Sequence, residues 1–203
     1  NVDVDAMNNA KLEQLDGNEL SYTQTTSGGK NYVESLQKSV LAPSELKVKK
    51  GALVMTVKNS PDRRYVNGSL GVVIDFDPGT NYPVVEFNNG RTVVIAPDTW
   101  ELRDGETKRA SITQFPLRLA WAITVHKSQG MTLDSARIDL SKAFVEGMGY
   151  VALSRVKNLN SLYLRGINQT ALRVSEDARL IDEVLRSRSL RDAKRFAKLS
   201  TGK

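Results

Sequence analysis

The spacing of hydrophobic residues changes twice along this chain. A strand-rich segment therefore lies between two segments that mix helices and strands. Between Val4 and Leu15 the apolar residues recur at roughly helical spacing, which predicts an N-terminal helix. A polar loop with glycines is expected at 25–31. A short helix should follow this loop and stop near Pro43.

From about Lys47 the apolar residues form short β-branched runs. These runs are ALVMTVKN, SLGVVIDF, PVVEFNN and RTVVIAP, and turn residues separate them. The pair Asn89-Gly90 stands between two of the runs and is a strong hairpin signal. Strands at such close and regular spacing predict a small antiparallel barrel.

After Ser111 strands and helices alternate again. LRLAWAIT, ARIDLS and SLYLRG are typical of strands, and EGMGYVALSRV is typical of a helix. This alternation predicts an α/β fold with a parallel sheet and helices on both faces. A C-terminal helix capped by Ser175 should carry an apolar stripe, followed by a basic end.

These patterns predict four regions. The first α/β part covers 1–48, the barrel is inserted at 49–110, and the second α/β part covers 111–170. A basic helical tail covers 171–203. Because the chain begins without Met in patterned sequence, we expect it to be a piece of a longer protein.

The charge and composition of the chain limit the kinds of metal site and partner that it can have. The 203 residues carry a formal net charge of +6, with no cysteine and one histidine. This composition excludes disulfides, thiolate metal sites and His-rich metal sites, so no metal site is expected. A basic balance favours nucleic acid over a membrane surface as partner, although many proteins are mildly basic without such a role. No run approaches the roughly 18 apolar residues of a membrane span, and the default location is the cytoplasm.

The segment AITVHKSQGMTLD holds the single histidine. If LRLAWAIT is a parallel strand, the residues from His126 to Thr132 lie at its carboxyl end, where α/β proteins bind ligands. Lys127 offers a charge, Ser128 and Gln129 offer neutral hydrogen bonds, and Gly130 allows close backbone approach. This set suits a phosphodiester backbone. A polar turn with no ligand would have the same composition.

The second candidate is Arg155, which ends an apolar helical segment. The planar guanidinium of an arginine held there suits a transferring phosphoryl group. The alternative is an exposed arginine that only stabilises the helix C-terminus.

Taken together and in this order, AWAITVHKSQGMTLD and YVALSR resemble motifs V and VI of superfamily 1B DNA helicases. The resemblance is to the Pif1-like group, with RecD-type enzymes next. VNGSLGVVIDF is similar to the start of the SH3-like subdomain 2B of this family, and NVDVDAMN is similar to a helix of its second RecA-like domain. The resemblance implies a RecA-like fold interrupted by an SH3-like barrel. It covers about residues 1–168.

The resemblance also implies roles for the matching residues. His126, Lys127, Ser128 and Gln129 would face single-stranded DNA, while Gly130 and Thr132 would lie where the motif turns towards ATP. Arg155 would reach the γ-phosphate across the cleft to an N-terminal RecA-like domain of the same protein. In the barrel, the loop with Arg63 and Arg64 is a further candidate for DNA or partner contact, although such arginines are usually solvated surface. Met148 stands where relatives carry Gln, which puts any role of that position in doubt.

A phosphate-binding loop is missing from this sequence. The nearest candidate, at 27–31, lacks the first glycine and has Asn31 after the lysine. The whole protein is therefore expected to use ATP and Mg²⁺, and this segment alone to bind neither and to be inactive.

The resemblance implies that the protein moves 5′ to 3′ on single-stranded DNA and acts at duplex junctions. It also implies work in DNA repair, recombination or telomere maintenance. The location would be the nucleoid in a bacterium, or the nucleus or mitochondrion in a eukaryote. The alternatives are a non-catalytic module that binds nucleic acid or protein, and a RecD-like exonuclease or relaxase-associated helicase subunit.

Overall fold

A computed structural model describes residues 2–133 and 135–196. Asp134 and the end of the basic tail, 197–203, lie outside the described residues. The chain divides into two compact units, the first formed by residues 1–135 and 155–157 and the second by 136–154 and 158–203.

Five helices and twelve strands are present in the described residues. The helices are α1 Val2–Glu13, α2 Lys30–Ser39, α3 Met148–Leu153, α4 Gln169–Leu172 and α5 Glu176–Phe196. The strands are β1 Leu20–Thr23, β2 Thr25–Gly28, β3 Glu45–Val48, β4 Leu53–Thr56, β5 Leu70–Phe76, β6 Pro83–Phe87, β7 Thr92–Val94, β8 Asp98–Asp104, β9 Thr107–Gln114, β10 Leu117–Leu119, β11 Ala136–Leu140 and β12 Leu162–Ile167. The helices predicted near Val4–Leu15 and before Pro43 are confirmed as α1 and α2.

An antiparallel sheet of five strands, in the order β10-β4-β5-β6-β7, forms the centre of the first unit. Its inward positions are aliphatic and fully buried, as at Val54, Val73, Val85 and Leu117. Leu12 of α1 packs into the same cluster. Each such side chain contributes about 1.5–3 kcal/mol when removed from water, so this cluster holds the predicted barrel strands and α1 together.

The hairpin predicted at Asn89-Gly90 is confirmed. It joins β6 to β7, with Phe87 N donating to the Arg91 carbonyl oxygen at 2.8 Å. Gly90 adopts a φ of +79°, a conformation that residues with a Cβ rarely accept.

The loop expected at 25–31 is wrong for all of its residues except Gly29, because α2 already begins at Lys30. Thr25–Gly28 form β2, which pairs antiparallel with β9 in the sheet β2-β9-β8. All four β2 residues are exposed, so the strand lacks the apolar alternation from which strands are predicted. A Cβ on Gly28 would lie 2.3 Å from the Arg109 carbonyl oxygen. This glycine therefore packs against a strand and does not line a phosphate-binding loop.

The parallel strand expected at LRLAWAIT is also wrong. Only Leu117–Leu119 are in a strand, and this strand runs antiparallel to β4. An apolar run alone does not distinguish a parallel strand from an antiparallel one or from a packed loop. The segment after Leu119 leaves the sheet before it reaches the turn at His126.

The second unit contains the parallel pairing that defines its α/β character. β11 pairs in parallel with β12, and α3 lies between them in the chain. α3 packs closely on α4, because a Cβ on Gly149 would lie 2.1 Å from the Ala171 carbonyl oxygen. The α/β class predicted from the alternation is confirmed.

The C-terminal helix α5 begins as predicted. Ala178 N donates to Ser175 Oγ at 3.5 Å, and Glu176 and Asp177 lie in the first turn, where they favour the helix dipole. Within the described ranges, none of the helices combines the length and the hydropathy that a membrane crossing requires.

Candidate nucleic-acid interface

Backbone hydrogen bonds between neighbouring residues hold the turn at His126–Gly130 in shape. His126–Ser128 form a single 3-10 turn, in which Ser128 N donates to the Thr124 carbonyl oxygen at 3.1 Å. Gln129 N donates to the His126 carbonyl oxygen at 3.2 Å. Gly130 then reverses the chain with a φ of +79°. The local sequence therefore fixes the shape of the turn.

The side chains of this turn differ in exposure. His126 and Gln129 are exposed and Lys127 is half-buried, whereas Ser128 is 4% exposed. The Ser128 hydroxyl donates to the Val125 carbonyl oxygen at 2.7 Å. Ser128 thus shapes the turn in this conformation, and three polar side chains around it reach the surface.

Arg155 joins the same compact unit as the turn, although 24 residues lie between it and Gly130. Leu133 N donates to the Arg155 carbonyl oxygen at 2.8 Å, and Leu133 forms a parallel bridge with Val156. Arg155 Nη1 lies 3.4 Å from the Met131 carbonyl oxygen, a long and therefore weak contact. Arg155 as a whole is half-buried, and its backbone is hydrogen-bonded to the segment that directly follows the turn.

A loop of the antiparallel sheet supports the turn from another side. Met131 is 2% exposed, and a Cβ on Gly68 would lie 3.2 Å from the Met131 Cβ. The same loop carries Arg63, which has a φ of +58°, and Arg64, which pairs with Asp62. The structure thus connects the loop of Arg63 and Arg64 to the turn through Gly68 and Met131.

We expect Gly68→Ala to lower the free energy of unfolding more than Gly90→Ala. Both glycines have positive φ, so alanine costs about 1–2 kcal/mol at either position. Only the new methyl at position 68 meets a neighbour, and such overpacking adds about 1–3 kcal/mol. Urea unfolding of the two variants measures the difference, and equal losses would show that the contact of Gly68 with Met131 contributes nothing.

Asn8 is a functional candidate that the sequence analysis missed. It is 3% exposed, and its Nδ2 donates to the Ala122 carbonyl oxygen while its Oδ1 accepts from Ala122 N, both at 2.9 Å. The side chain thus imitates a strand partner for the segment that leads into the turn. The available signal was a polar residue between Val4 and Leu12, on the apolar side of a predicted helix.

Lys127 also lines a cavity of about 590 Å³ next to α1. Arg118 is among the other lining residues and is 6% exposed. Burial lowers the pKa of the Arg118 guanidinium, and the charge of Asp5 acts in the opposite direction. With Lys47, three cationic side chains therefore border this cavity.

The residues at the turn fit a phosphate group better than a metal ion. In the part of the chain that the structure describes, no three His, Cys, Asp or Glu side chains are grouped as metal ligands. Gly130 has open space where a Cβ would be, and Thr132 is exposed. Backbone amides, a hydroxyl and the guanidinium of Arg155 are the donors that phosphates accept.

Comparison with known proteins gives consistent matches. The family described as DNA helicase Pif1, 2B domain, matches residues 31–76. The chain is 37% identical to the ATP-dependent DNA helicase Pif1 of Psychrobacter, with 97% of this chain and 37% of the relative covered. It is 41% identical to the ATP-dependent DNA helicase PIF1 of Xenopus laevis, with 85% of this chain and 27% of the relative covered.

Solved structures agree with these relatives. A Bacteroides Pif1 in complex with ADP-AlF4 matches with a TM-score of 0.77 and 32% identity, covering 92% of this chain and 44% of that one. A Bacteroides Pif1 bound to ssDNA matches with a TM-score of 0.64 and 34% identity, covering 93% of this chain and 44% of that one.

The parallel strand pair with its helices, together with the matched structures, places the chain in the RecA-like α/β class. The chain belongs to the Pif1 family. It spans well under half the length of the relatives it matches.

Proposed function

We propose that this chain is the C-terminal part of an ATP-dependent DNA helicase and contains the second RecA-like domain with its SH3-like 2B insertion. In this proposal the turn at His126–Gly130 contacts single-stranded DNA, and Arg155 contacts the γ-phosphate of ATP. The observation that carries the proposal is the bridge between Leu133 and Val156, which pairs the backbone that follows the turn with the backbone that carries Arg155. A relative named as bound to ssDNA and another named as in complex with ADP-AlF4 support both ligands.

The DNA contact follows from the exposed donors of the turn. His126, Gln129 and Lys127 offer neutral and charged hydrogen bonds to phosphodiester oxygens, and such contacts do not depend on base sequence. Ser128 holds the turn in shape through its bond to Val125. A protein that moves along a DNA strand requires contacts that do not depend on the base sequence.

The residues of this chain would supply only one side of an ATP site. Arg155, with Gly130 and Thr132 near it in the turn, would hold phosphate oxygens from this side. A phosphate-binding loop and the acidic residues for Mg²⁺ would come from an N-terminal RecA-like domain of the same protein. ATP hydrolysis supplies the free energy for movement, and the Met131 and Leu133 contacts couple any shift of Arg155 to the DNA-facing turn.

Arg63 and Arg64 would extend this surface towards a duplex junction. Their loop contacts the turn through Gly68, so a strand leaving His126 would pass near cationic side chains. The proposal includes 5′ to 3′ movement, work in DNA repair, recombination or telomere maintenance, and location in the nucleoid, or in the nucleus or mitochondrion of a eukaryote.

We expect the double change His126→Ala and Gln129→Ala to weaken binding of oligo-dT by about tenfold in the natural protein that contains this chain. The two changes remove two exposed hydrogen-bonding groups, each worth about 0.5–1.5 kcal/mol. Fluorescence anisotropy at fixed ionic strength measures the affinity, because phosphate contacts depend steeply on salt.

The matched control is Gln37→Ala with Lys38→Ala, which removes a similar amide and also a positive charge from the exposed face of α2. We expect its affinity to stay within about twofold. If the control weakens binding as much as the turn variant, the contact is general electrostatics and the turn is not the DNA site. The chain of 203 residues alone should not hydrolyse ATP, and DNA-stimulated hydrolysis by it would contradict the two-sided site.

A further inference from the structure

The C-terminal helix α5 exposes an apolar surface that the other described elements of its own unit leave uncovered. Leu180, Ile181, Val184 and Leu185 are 48%, 60%, 51% and 56% exposed, and no residue of this 21-residue helix is buried. We call these four residues the α5 stripe. Helices gain most of their stability by packing such a face, so the stripe indicates a partner.

The stripe lies in a heptad seam that carries charges at both ends. Asp177, Ile181, Val184 and Arg188 follow one another at spacings of four, three and four residues, the spacing of positions that face a partner helix. Leu180 and Leu185 lie beside this seam. The seam therefore has an aliphatic centre, an acidic residue before it and a basic residue after it.

We propose that the α5 stripe binds the α5 stripe of a second copy of this chain, with the two helices antiparallel. When the helices cross at the midpoint of the stripe, Ile181 of each copy faces Val184 of the other. Leu180 then lies beside Leu180 of the other copy on one flank of the seam, and Leu185 beside Leu185 on the other flank. In the same register Asp177 of each copy faces Arg188 of the other. A parallel pair would bring Asp177 against Asp177 and Arg188 against Arg188, which is repulsive.

Apart from Asp177, the charged side chains of α5 from Glu176 to Arg186 are already paired within the helix. Arg179 bonds Glu176 and Glu183, and Arg186 bonds Asp182 at 2.6 Å. Among the residues that the structure describes, Asp177 and Arg188 have no such ion pair. These two side chains remain available to select the orientation of a partner helix.

The test is a charge exchange in the chain of 203 residues, followed by sedimentation equilibrium. We expect a concentration-dependent dimer, which Ile181→Glu should disrupt. Asp177→Arg alone and Arg188→Asp alone should each raise the dimer dissociation constant by about tenfold, because each change makes two facing pairs repulsive. The double variant should return it to within about threefold of the original, since both pairs are restored with reversed sign.

The control is Arg186→Asp, which makes the same charge change on the opposite side of the helix and should leave the dissociation constant within about twofold. Circular dichroism verifies that α5 stays helical in every variant. The proposal is overturned by a chain that remains monomeric at all concentrations, by a dimer that tolerates Ile181→Glu, or by a double variant no stronger than the single ones. A helix that covers its stripe by another route would give the first of these results.

Discussion

Arg155→Ala is expected to lower the ATP turnover number at least a thousandfold in the natural protein that contains this chain. An arginine that reaches the γ-phosphate stabilises the charge of the transition state, and its loss typically costs a factor of 10³–10⁵, of which we take about 10³. Affinity for single-stranded DNA should stay within about threefold, because Arg155 is not among the exposed residues of the turn. DNA-stimulated ATPase kinetics and anisotropy measure the two quantities separately.

Arg155→Lys separates a charge effect from a geometric one. Lysine keeps the charge but lacks the planar fork, so we expect it to recover less than a tenth of the lost turnover. Arg165→Ala, at an exposed position of β12, is the matched control and should leave turnover unchanged. Turnover of Arg155→Ala within a few-fold of the original would remove this arginine from the ATP site.

Asn8→Ala is expected to lower both the free energy of unfolding and the affinity for single-stranded DNA. The change leaves Ala122 N and the Ala122 carbonyl oxygen without their partners, which costs about 2–4 kcal/mol in all. Because Ala122 lies four residues before His126, the freed segment should lose the fixed position of the turn. We expect DNA affinity to fall about tenfold, measured at a temperature where the variant is fully folded.

Asn9→Ala serves as the control, because Asn9 is exposed and lies next to Asn8 on α1. It should change neither quantity appreciably. Asn8→Asp keeps the acceptor for Ala122 N but sets a carboxylate against a carbonyl, so it should not restore affinity. If affinity is unchanged while stability falls, Asn8 supports only the fold and does not position the turn.

The sequence predicted the elements that local patterns determine. α1, α2 and the hairpin at Asn89-Gly90 follow from helical spacing and from turn chemistry, and all three are confirmed. β2 could not be predicted in this way, since its four exposed residues are held by hydrogen bonds to the distant β9. The run LRLAWAIT gave a wrong strand because apolar residues alone do not reveal the direction of a partner strand.

The candidate site also combines residues that the local sequence indicated with contacts between distant residues that it did not. Its candidate residues could be selected because AWAITVHKSQGMTLD and YVALSR resemble two motifs of the helicase family. The supports of the site are long-range contacts, from Asn8 to Ala122 and from Gly68 to Met131, and no pattern in one sequence connects such positions. The burial of Ser128 likewise depends on the closure of the turn, which the sequence alone does not show, so its contact with DNA stays a prediction.

The most direct test of the account is ultraviolet crosslinking of oligo-dT to the natural protein that contains this chain, followed by mass-spectrometric mapping of the crosslinked peptides. The account predicts adducts on the peptide that holds His126–Gln129, and loss of these adducts in the double variant of His126 and Gln129. Adducts confined to other surfaces, with none between His126 and Gly130, would contradict the claim that this turn faces the DNA strand.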